Sequence, residues 1–373
     1  MALGWRSHRH WKKEFTVADG KSFLFVSDHL GGGGAPISIL NLAEALAEHG
    51  HDVTIAVLSD KVWHDIPEGV TVKTLPFQYA NAWQKLRRFR LHAKKLDAWL
   101  VENNWSYDVV IANLYYTHQV VAHSLLSNQA WLCVRTDPAQ MLLSKSVSDF
   151  KVRHKIKSIY GGRRVLAISH GILESISAYG VIPRQAEVVH NIIDALFVRE
   201  RMRDDVEVSD YIVSVGRLGL RQKRYDRLLR AYKASGIAQK LVFVGEGELE
   251  NAQALVRELG LESRVVFLGQ KANPYPYIRH ADLLVLASDY EGFGRVIAES
   301  LICGTPVVST DCPSGPRDIL TGELASCLVE TNDEAALARK LREVLEAPPV
   351  IKPEHYERFS PDAIAHRYET LAG

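Results

Sequence analysis

Residues 281–310 read ADLLVLASDYEGFGRVIAESLICGTPVVST, and their pattern carries most of the information about the fold. An apolar run of strand length, ADLLVLAS, leads into a short polar loop, which is followed by a helical pattern and a second apolar run, TPVVST. This order of strand, helix and strand is typical of a parallel sheet covered by helices. Glu291 lies in the loop and Glu299 lies in the helix. Both carboxylates are ordinary for a helix start, but they also lie where parallel sheets bind ligands.

The same alternation extends along most of the chain, because short runs rich in Val, Ile and Leu are separated by helical patterns. The runs of the first half are SFLFVSD, DVTIAVL, VTVKTL, YDVVIAN, AWLCVR and RVLAIS, and those of the second half are YIVSVG, KLVFVG, RVVFLG, ADLLVLAS and TPVVST. Each run has the length of a strand, and most intervals have the length of a helix. We therefore predict an α/β protein with two Rossmann-like domains whose parallel sheets face each other across a cleft.

The length of 373 residues exceeds that of one typical core and predicts two domains. We expect a first Rossmann-like domain over residues 1–193 and a second over 194–353. The charged stretch 197–210 reads as a linker or an exposed loop. After the proline-rich APPVIKP, residues 354–373 form a last helical segment that we expect to cross back to the first domain.

The composition is that of an ordinary soluble protein, with 47% apolar and 24% charged residues. The four cysteines are scattered and form no C-x-x-C pair, which favours a reducing cytoplasmic location. No apolar run approaches the roughly 18–20 residues that span a bilayer, so any membrane association is expected to be peripheral. The formal charge is +6 through His190 and −5 beyond it, which is too small an asymmetry to predict a nucleic-acid partner.

The first strand runs into four consecutive glycines, Gly31 to Gly34, before a helix. Such a loop lets the backbone approach a phosphate or a sugar closely, although it also serves as a plain tight turn. The dinucleotide fingerprint Gly-x-Gly-x-x-Gly is incomplete, since Pro36 or Ile37 stands where its third glycine belongs. A nicotinamide-dependent oxidoreductase is therefore disfavoured.

A second group of polar residues follows the strand YIVSVG in the sequence GRLGLRQKRYDRLL. Arg217 comes directly after the strand end and Lys223 near the start of the next helix, so both side chains could reach one anion at that helix terminus. A guanidinium fork and an ammonium group together suit a diphosphate. The rival interpretation is a solvated basic face, which we expect for Arg221, Arg224, Arg227 and Arg230.

Three stretches carry a resemblance: GRLGLRQKRYDRLL, VGEGELENAQALVRELGLESRVVFLG and SDYEGFGRVIAESLICGTPVVSTDCPSGPRDIL. In combination they resemble the carboxyl-terminal half of the retaining family 4 glycosyltransferases, which have the GT-B fold. Glu291 and Glu299 match the E-x7-E motif of that family. GGGG, EHGHDVTI, AISHGI and NIIDALF extend a looser resemblance over the rest of the chain.

The resemblance implies that the domain over residues 1–193 binds the acceptor and the domain over 194–353 binds the nucleotide sugar. It also implies roles for individual residues. Arg217 and Lys223 would hold the donor diphosphate, and Glu299 would bind the ribose. Glu291, with the amides of Phe293 and Gly294, would contact the donor sugar or phosphate. The remaining implied donor contacts are Gly32 and Gly33 from the first domain and Gln270 and Lys271 beside the nucleobase.

The implied reaction is transfer of a sugar from a nucleotide diphosphate, UDP being the expected one, to a glycan or lipid-linked glycan with retention at the anomeric carbon. The acceptor hydroxyl would attack from the face that the diphosphate leaves. Neither a metal nor another cofactor is expected, and the chain contains no Asp-x-Asp, the motif of the metal-dependent GT-A enzymes.

One departure from the family concerns the end of the fifth strand. Many members have a histidine there, whereas AWLCVRTDPAQ places Arg135 at about that position, as in some lipid-linked oligosaccharide and lipopolysaccharide enzymes. His118, in NLYYTHQV, is an alternative residue for the site, although a lone histidine after a strand is more often structural.

Residues 83–100 combine apolar residues at helical spacing with six lysines and arginines. They predict either a helix packed on the sheet or a basic amphipathic helix on an anionic membrane surface, at the inner face of the cytoplasmic membrane. Two further alternatives concern the whole protein. Another GT-B enzyme, such as an epimerase or a phosphorylase, would share the fold, and a non-catalytic sugar-nucleotide-binding protein would keep the donor residues.

Overall fold

The computed structural model describes residues 20–32, 34–143 and 146–372. The chain divides into two compact units. Among the described residues, the first unit is built from residues up to 168, from 172–192 and from 361–372, and the second from Ser169–Gly171 and Ile193–Ser360. The predicted boundary between residues 193 and 194 is one residue away from this division.

The first unit is a parallel sheet with helices. Within the described residues the sheet has seven strands in the order β3-β2-β1-β4-β5-β6-β7. These strands are β1 (Ser22–Ser27), β2 (Asp52–Val57), β3 (Val70–Thr74), β4 (Val109–Asn113), β5 (Trp131–Val134), β6 (Arg164–Ala167) and β7 (Gln185–Val188). The central strands are buried along their whole length, since helices cover both faces of such a sheet.

The helices of the first half connect these strands. They are α1 (Gly34–Glu48), α2 (Ala82–Leu86), α3 (Arg88–Glu102), α4 (Tyr115–Val121), α5 (Pro138–Leu143), α6 (Asp149–Tyr160) and α7 (His170–Ala178), with a short 3-10 helix at Leu125–Asn128.

The second unit repeats the architecture with a sheet that has, among the described residues, six parallel strands in the order β10-β9-β8-β11-β12-β13. Its strands are β8 (Tyr211–Val215), β9 (Lys240–Val244), β10 (Val265–Phe267), β11 (Leu283–Leu286), β12 (Val307–Thr310) and β13 (Leu328–Val329). Its helices are α8 (Ala195–Arg201), α9 (Tyr225–Ser235), α10 (Leu249–Leu259), α11 (Tyr275–Arg279), α12 (Arg295–Cys303), α13 (Pro316–Ile319), α14 (Glu334–Glu346) and α15 (Glu354–Glu357), with a 3-10 helix at Gly322–Cys327.

All eleven strand-like runs of the sequence are strands, and the prediction of two parallel α/β sheets is confirmed. Two strands were not predicted. The edge strand β7 has the sequence QAEV and is mostly exposed, while β13 has two residues, so neither shows the apolar run of a buried strand. The prediction of a linker over 197–210 is partly wrong, because α8 begins after Asp194, whose side chain accepts hydrogen bonds from two backbone amides of its first turn.

The end of the chain returns to the first unit as α16 (Pro361–Glu369), which buries Ile364, Ala365 and Tyr368. The return begins at residue 361 rather than 354, because α15 remains in the second unit. The Tyr368 hydroxyl lies 3.9 Å from the sulfur of Cys133, and the indole of Trp131 donates to the Leu371 carbonyl at 3.4 Å. These contacts place α16 in the core of the first unit.

The predicted helix over residues 83–100 is two helices, because α2 ends and α3 begins around Arg87, whose backbone is not helical. In α3, Ala93, Leu96 and Leu100 are fully buried, which confirms packing on the sheet for this part. In α2, the side chains Trp83 and Leu86 are 57% and 79% exposed. Among the described residues, no helix combines the length and the apolar character needed to cross a bilayer.

Candidate donor-binding site

Polar residues lie at the carboxyl ends of the strands in the sheet of the second unit, and the first of them follow β8. Gly216 follows this strand with a φ of +146°, and Arg217 comes next with its side chain exposed. Lys223 lies in the turn directly before α9, as predicted. Both cationic side chains line one small pocket, together with Ser214, Val215, Gly216, Leu218, Tyr225, Leu228, Phe243, Leu286, Ala287 and Ser288.

Lys223 reaches the loop that follows β11. Its ammonium group lies 2.7 Å from a carboxylate oxygen of Glu291, which also accepts a hydrogen bond from the Ser288 hydroxyl at 2.6 Å. The Ser314 hydroxyl donates to the Glu291 backbone carbonyl. Because Glu291 is only 6% exposed, its charge is paired rather than solvated. Two residues separated by 68 positions in the sequence thus meet at one point of the pocket.

The loops after β8 and β9 approach each other so closely that two positions require glycine. A Cβ atom on Gly245 would lie 2.0 Å from the carbonyl oxygen of Gly216, and one on Gly247 would lie 2.0 Å from that of Leu218. Both glycines also have a φ near +147°, which other residues rarely adopt. The glycines of VGEGELE therefore allow the backbone to line the strand ends without side chains.

Helix α12 begins at the same edge of the sheet. Gly294 caps it with a φ of +80°, and the buried Phe293 packs edge-on against Phe359 at 5.2 Å between ring centroids. The cap leaves amide groups of the first turn directed towards the strand ends, where a helix favours an anion.

Glu299 lies on α12 and is 13% exposed. Its carboxylate pairs with Arg295 at 3.4 Å. Burial, and then the charge of Glu299, raise the pKa of the Cys303 thiol to about 12. The structure therefore joins Glu291 to Lys223 and gives Glu299 a different cationic partner.

Arginines behind the pocket connect its two loops. Arg227 is 1% exposed and donates to the Ala287 carbonyl at 2.8 Å and to Asp289 at 2.6 Å. Arg224, in the left-handed conformation, binds Asp226 and Asp289 through its guanidinium. The prediction of a solvated basic face is wrong for both residues, because these side chains hold the loop of Glu291 against the start of α9.

The two residues predicted beside the nucleobase lie in the loop after β10. The ammonium group of Lys271 pairs with Glu207 at 3.4 Å and lies 5.1 Å from the ring centroid of Tyr277. The side chain of Gln270 is exposed.

In the first unit, Gly32 follows β1 with a φ of +58°, and Gly33 lies outside the described residues. Arg135 directly follows β5, as predicted. Its guanidinium donates to the side-chain oxygens of Asn113 at 3.0 Å and Asn191 at 2.9 Å. These two neutral side chains hold the Arg135 guanidinium at the strand ends of the first unit.

His118 is placed differently from the expectation of a site residue. It lies in α4 with 1% exposure, and its ring nitrogens bond the Tyr160 hydroxyl at 3.1 Å and the Ala112 carbonyl at 3.0 Å. Burial lowers the pKa of His118 to about 4. These contacts hold it as a neutral interior group, which is the structural role that a lone histidine commonly has.

Sequence reasoning missed the serines that position Glu291. Besides Ser288 and Ser314, the Ser169 hydroxyl donates to the Gly292 carbonyl at 2.9 Å, within the same unit. Serine is common in loops, so the residue type alone gives no signal. The motifs that carry the resemblance contain all three serines, Ser169 in AISHGI and Ser288 and Ser314 in SDYEGFGRVIAESLICGTPVVSTDCPSGPRDIL, but they assign them no role.

Both halves of the chain are similar to known protein families. Residues 32–195 match the family model described as Glycosyltransferase Family 4, and residues 199–366 match the one described as Glycosyl transferases group 1. Over 324 residues the chain is 29% identical to the N-acetylgalactosamine-N,N'-diacetylbacillosaminyl-diphospho-undecaprenol 4-alpha-N-acetylgalactosaminyltransferase of Campylobacter jejuni, an alignment that covers 85% of this chain and 88% of the relative. The lipopolysaccharide 1,6-galactosyltransferase of Salmonella typhimurium is 37% identical over 43% of this chain and 47% of its own length.

Solved structures share the fold at lower identity. The lipopolysaccharide outer core galactosyltransferase WaaB, in its apo form, superposes with a TM-score of 0.69 at 22% identity, covering 94% of this chain and 98% of WaaB. Anabaena Alr3699/HepE in complex with UDP-glucose superposes with a TM-score of 0.70 at 21% identity, covering 94% and 99%.

The two parallel sheets, the pocket at the strand ends of the second one and these similarities together define a glycosyltransferase of the GT-B fold. More particularly, the chain belongs to the glycosyltransferases that combine a family 4 amino-terminal domain with a group 1 carboxyl-terminal domain.

Proposed function

We propose that this glycosyltransferase transfers a sugar from a UDP-sugar, with retention, to a glycan or a lipid-linked glycan. The observation that carries the proposal is the Lys223–Glu291 contact in a pocket that Arg217 also lines. A lysine that is neutralised by a buried carboxylate can change partner when a diphosphate enters, and Arg217 supplies a second cation.

The residues at the strand ends and one structural neighbour support the choice of a UDP-sugar as the proposed donor. Alr3699/HepE, whose fold this chain shares, was solved with UDP-glucose. In this chain the α12 amino terminus would receive a phosphate, and Glu299 would accept hydrogen bonds from the ribose hydroxyls in place of its contact with Arg295. Gln270 and Lys271 would lie beside the base.

In the proposed reaction the acceptor oxygen attacks the anomeric carbon from the face on which the diphosphate departs. The bond from carbon to phosphate oxygen breaks, and the acceptor proton passes to the departing phosphate. Arg217 and Lys223 stabilise the charge that develops there. Two charge-assisted hydrogen bonds that strengthen in the transition state contribute about 3–6 kcal/mol, or roughly 10²–10⁴ in rate.

The acceptor proposal rests on the first unit. The Campylobacter jejuni relative is named for a diphospho-undecaprenol acceptor, and α2 is suited to a membrane that carries such a lipid. Trp83 and Leu86 are exposed beside Lys85 and Arg87, whose guanidinium lies 4.5 Å from the Trp83 ring centroid. Exposed aromatic and aliphatic residues flanked by cations bind anionic membrane interfaces.

Thermal unfolding with UDP, GDP, ADP or NAD tests the donor. We expect UDP to raise the unfolding temperature of the wild type and to lose most of this effect in Glu299→Ala. Glu258→Ala, at an exposed position of α10 in the same unit, is the matched control. A shift with NAD and none with a nucleoside diphosphate would overturn the proposal.

Turnover distinguishes an enzyme from a binding protein. With UDP-hexoses, UDP-N-acetylhexosamines and a polyprenyl-diphosphate-linked sugar, we expect a glycosylated product with the anomeric configuration of the donor, measured by NMR. We expect EDTA to leave the rate unchanged. Donor binding without turnover would indicate a non-catalytic protein, an isomerised nucleotide sugar would indicate an epimerase, and dependence on inorganic phosphate would indicate a phosphorylase.

Flotation with vesicles of anionic lipid at low salt tests the membrane surface. We expect binding by the wild type, loss of binding in the double variant Trp83→Ala/Leu86→Ala, and no change in Ile182→Ala, whose side chain is 83% exposed in the same unit. Each cation removed from α2 weakens such binding by about 1 kcal/mol, or roughly fivefold. Absence of binding by the wild type would exclude the membrane surface as a partner.

A further inference from the structure

Three histidines of the first unit converge on one carboxylate, that of Glu369 near the end of α16. The Nδ1 atom of His49 lies 2.8 Å from Glu369 Oε1, and the Nε2 atom of His51 lies 3.1 Å from the same oxygen. The Nδ1 atom of His366 lies 2.8 Å from Oε2. His49 directly follows α1, His51 directly precedes β2, and His366 lies one turn before Glu369, so the cluster joins three elements of one unit.

Both ring nitrogens of His49 face carboxylates, since its Nε2 atom also lies 3.4 Å from Asp362. Ionised carboxylates only accept hydrogen bonds, and an imidazole that donates from Nε2 to Asp362 can ligate a metal ion through Nδ1 beside Glu369. His51 is different: its Nδ1 atom accepts the backbone N–H of Lys21 at 3.1 Å, so its Nε2–H donates to Glu369.

The ligand atoms are close to the spacing of a tetrahedral metal site. Those of His49, His366 and Glu369 all lie within 4.8 Å of one another. A zinc ion with bonds of about 2.0–2.1 Å separates its ligands by roughly 3.3 Å, so the more distant of these atoms must move closer together to share one ion. His366 is 66% exposed, so an ion can enter from solvent, while His49 and Glu369 are largely buried.

We propose that His49, His366 and Glu369 form a site for a divalent transition-metal ion, with zinc as its best representative. Two imidazoles and one carboxylate are a known zinc ligand set that leaves one position for water. His51 donates to Glu369 and Asp362 accepts from His49, and such contacts orient the ligands of metal sites. The bound ion fastens α16 to α1 and β2 of the same unit.

Isothermal titration with ZnCl₂ on the full chain, stripped with EDTA, tests the site. The background carries His8→Ala and His10→Ala, which lie outside the described residues, and His170→Asn, whose ring lies 3.3 Å from Asp318, so that none of these histidines supplies a zinc ligand. We expect one zinc per chain, no stoichiometric binding in His366→Asn, and unchanged binding in the control His154→Asn on α6. His51→Asn is expected to weaken binding about 10- to 100-fold, and Mg²⁺ is not expected to compete.

Hydrogen exchange tests the site without substituting any of the proposed ligand residues. We expect zinc to slow exchange in residues 361–372 of the background protein. Unchanged exchange there, equal zinc affinity in His366→Asn and the background protein, or no binding at one equivalent would each overturn the proposal.

Discussion

Lys223 and Glu291 neutralise each other in the pocket that we propose for the diphosphate. We expect Lys223→Ala to lower kcat/KM about 10- to 150-fold, because one charge-assisted hydrogen bond of about 1.5–3 kcal/mol is lost from the transition state. Lys223→Arg keeps a charge and should lose less. Steady-state kinetics measures both variants.

The matched control is Lys233→Ala, on the exposed side of α9 in the same unit. It should retain the wild-type kcat/KM. Wild-type activity in Lys223→Ala would show that the ion pair between Lys223 and Glu291 plays no part in catalysis.

His118 predicts a pH dependence of stability. In the unfolded chain a histidine has a pKa of about 6.5, whereas burial lowers the pKa of the folded His118 to about 4. The unfolded state therefore binds more protons between these values, and the free energy of unfolding falls as the pH falls through this range, by about 2 kcal/mol at pH 5. Urea unfolding at several pH values should show a shallower decline for His118→Asn. The exposed His154→Asn should follow the wild type, and parallel curves for all three proteins would contradict the prediction.

Helix α9 carries two arginines, one turn apart, with opposite environments. Arg227 is buried against Asp289 and Ala287, whereas Arg230 is half exposed and pairs with Asp226. We expect Arg227→Met to lower the free energy of unfolding by about 3–5 kcal/mol, because a buried network loses its cation. Arg230→Met should cost less than about 1 kcal/mol. If urea unfolding shows that both variants lose the same free energy of unfolding, the buried network adds no more stability than the exposed ion pair.

The close approach of the loops after β8 and β9 makes another prediction. Gly245→Ala places a methyl group into the Gly216 carbonyl and forces an unfavourable φ, so we expect a loss of several kcal/mol in stability. Gly219→Ala has open space around its Cβ and should be nearly neutral. Thermal unfolding of the two variants gives the comparison, and similar unfolding temperatures would show that the loops can separate at little cost.

The sequence was most informative where a pattern is local. Buried strands such as β4 and β11 show apolar runs, and Lys223 could be placed before a helix from its spacing alone. The burial of Arg227 could not be predicted, since its partner Asp289 is 62 residues away and basic residues at that spacing also occur on solvated faces. The break at Arg87 gave no signal either, because neither proline nor glycine marks it.

Two units with separate cores predict two unfolding transitions. If UDP binds as proposed, it should stabilise mainly the second unit. At a UDP concentration of one hundred times the dissociation constant, the free energy of unfolding of this unit should increase by about 2.7 kcal/mol. Differential scanning calorimetry with hydrogen exchange can assign the transitions. One cooperative transition that moves as a whole would contradict independent units.

The position of α16 has a consequence for biosynthesis. The ribosome completes residues 193–360 before it makes the helix whose Tyr368 lies against Cys133 in the first unit. The first unit, although most of it is translated earlier, therefore acquires its full core only after the second unit has been synthesised. Until α16 is made, the core of the first unit lacks the buried side chains Ile364, Ala365 and Tyr368.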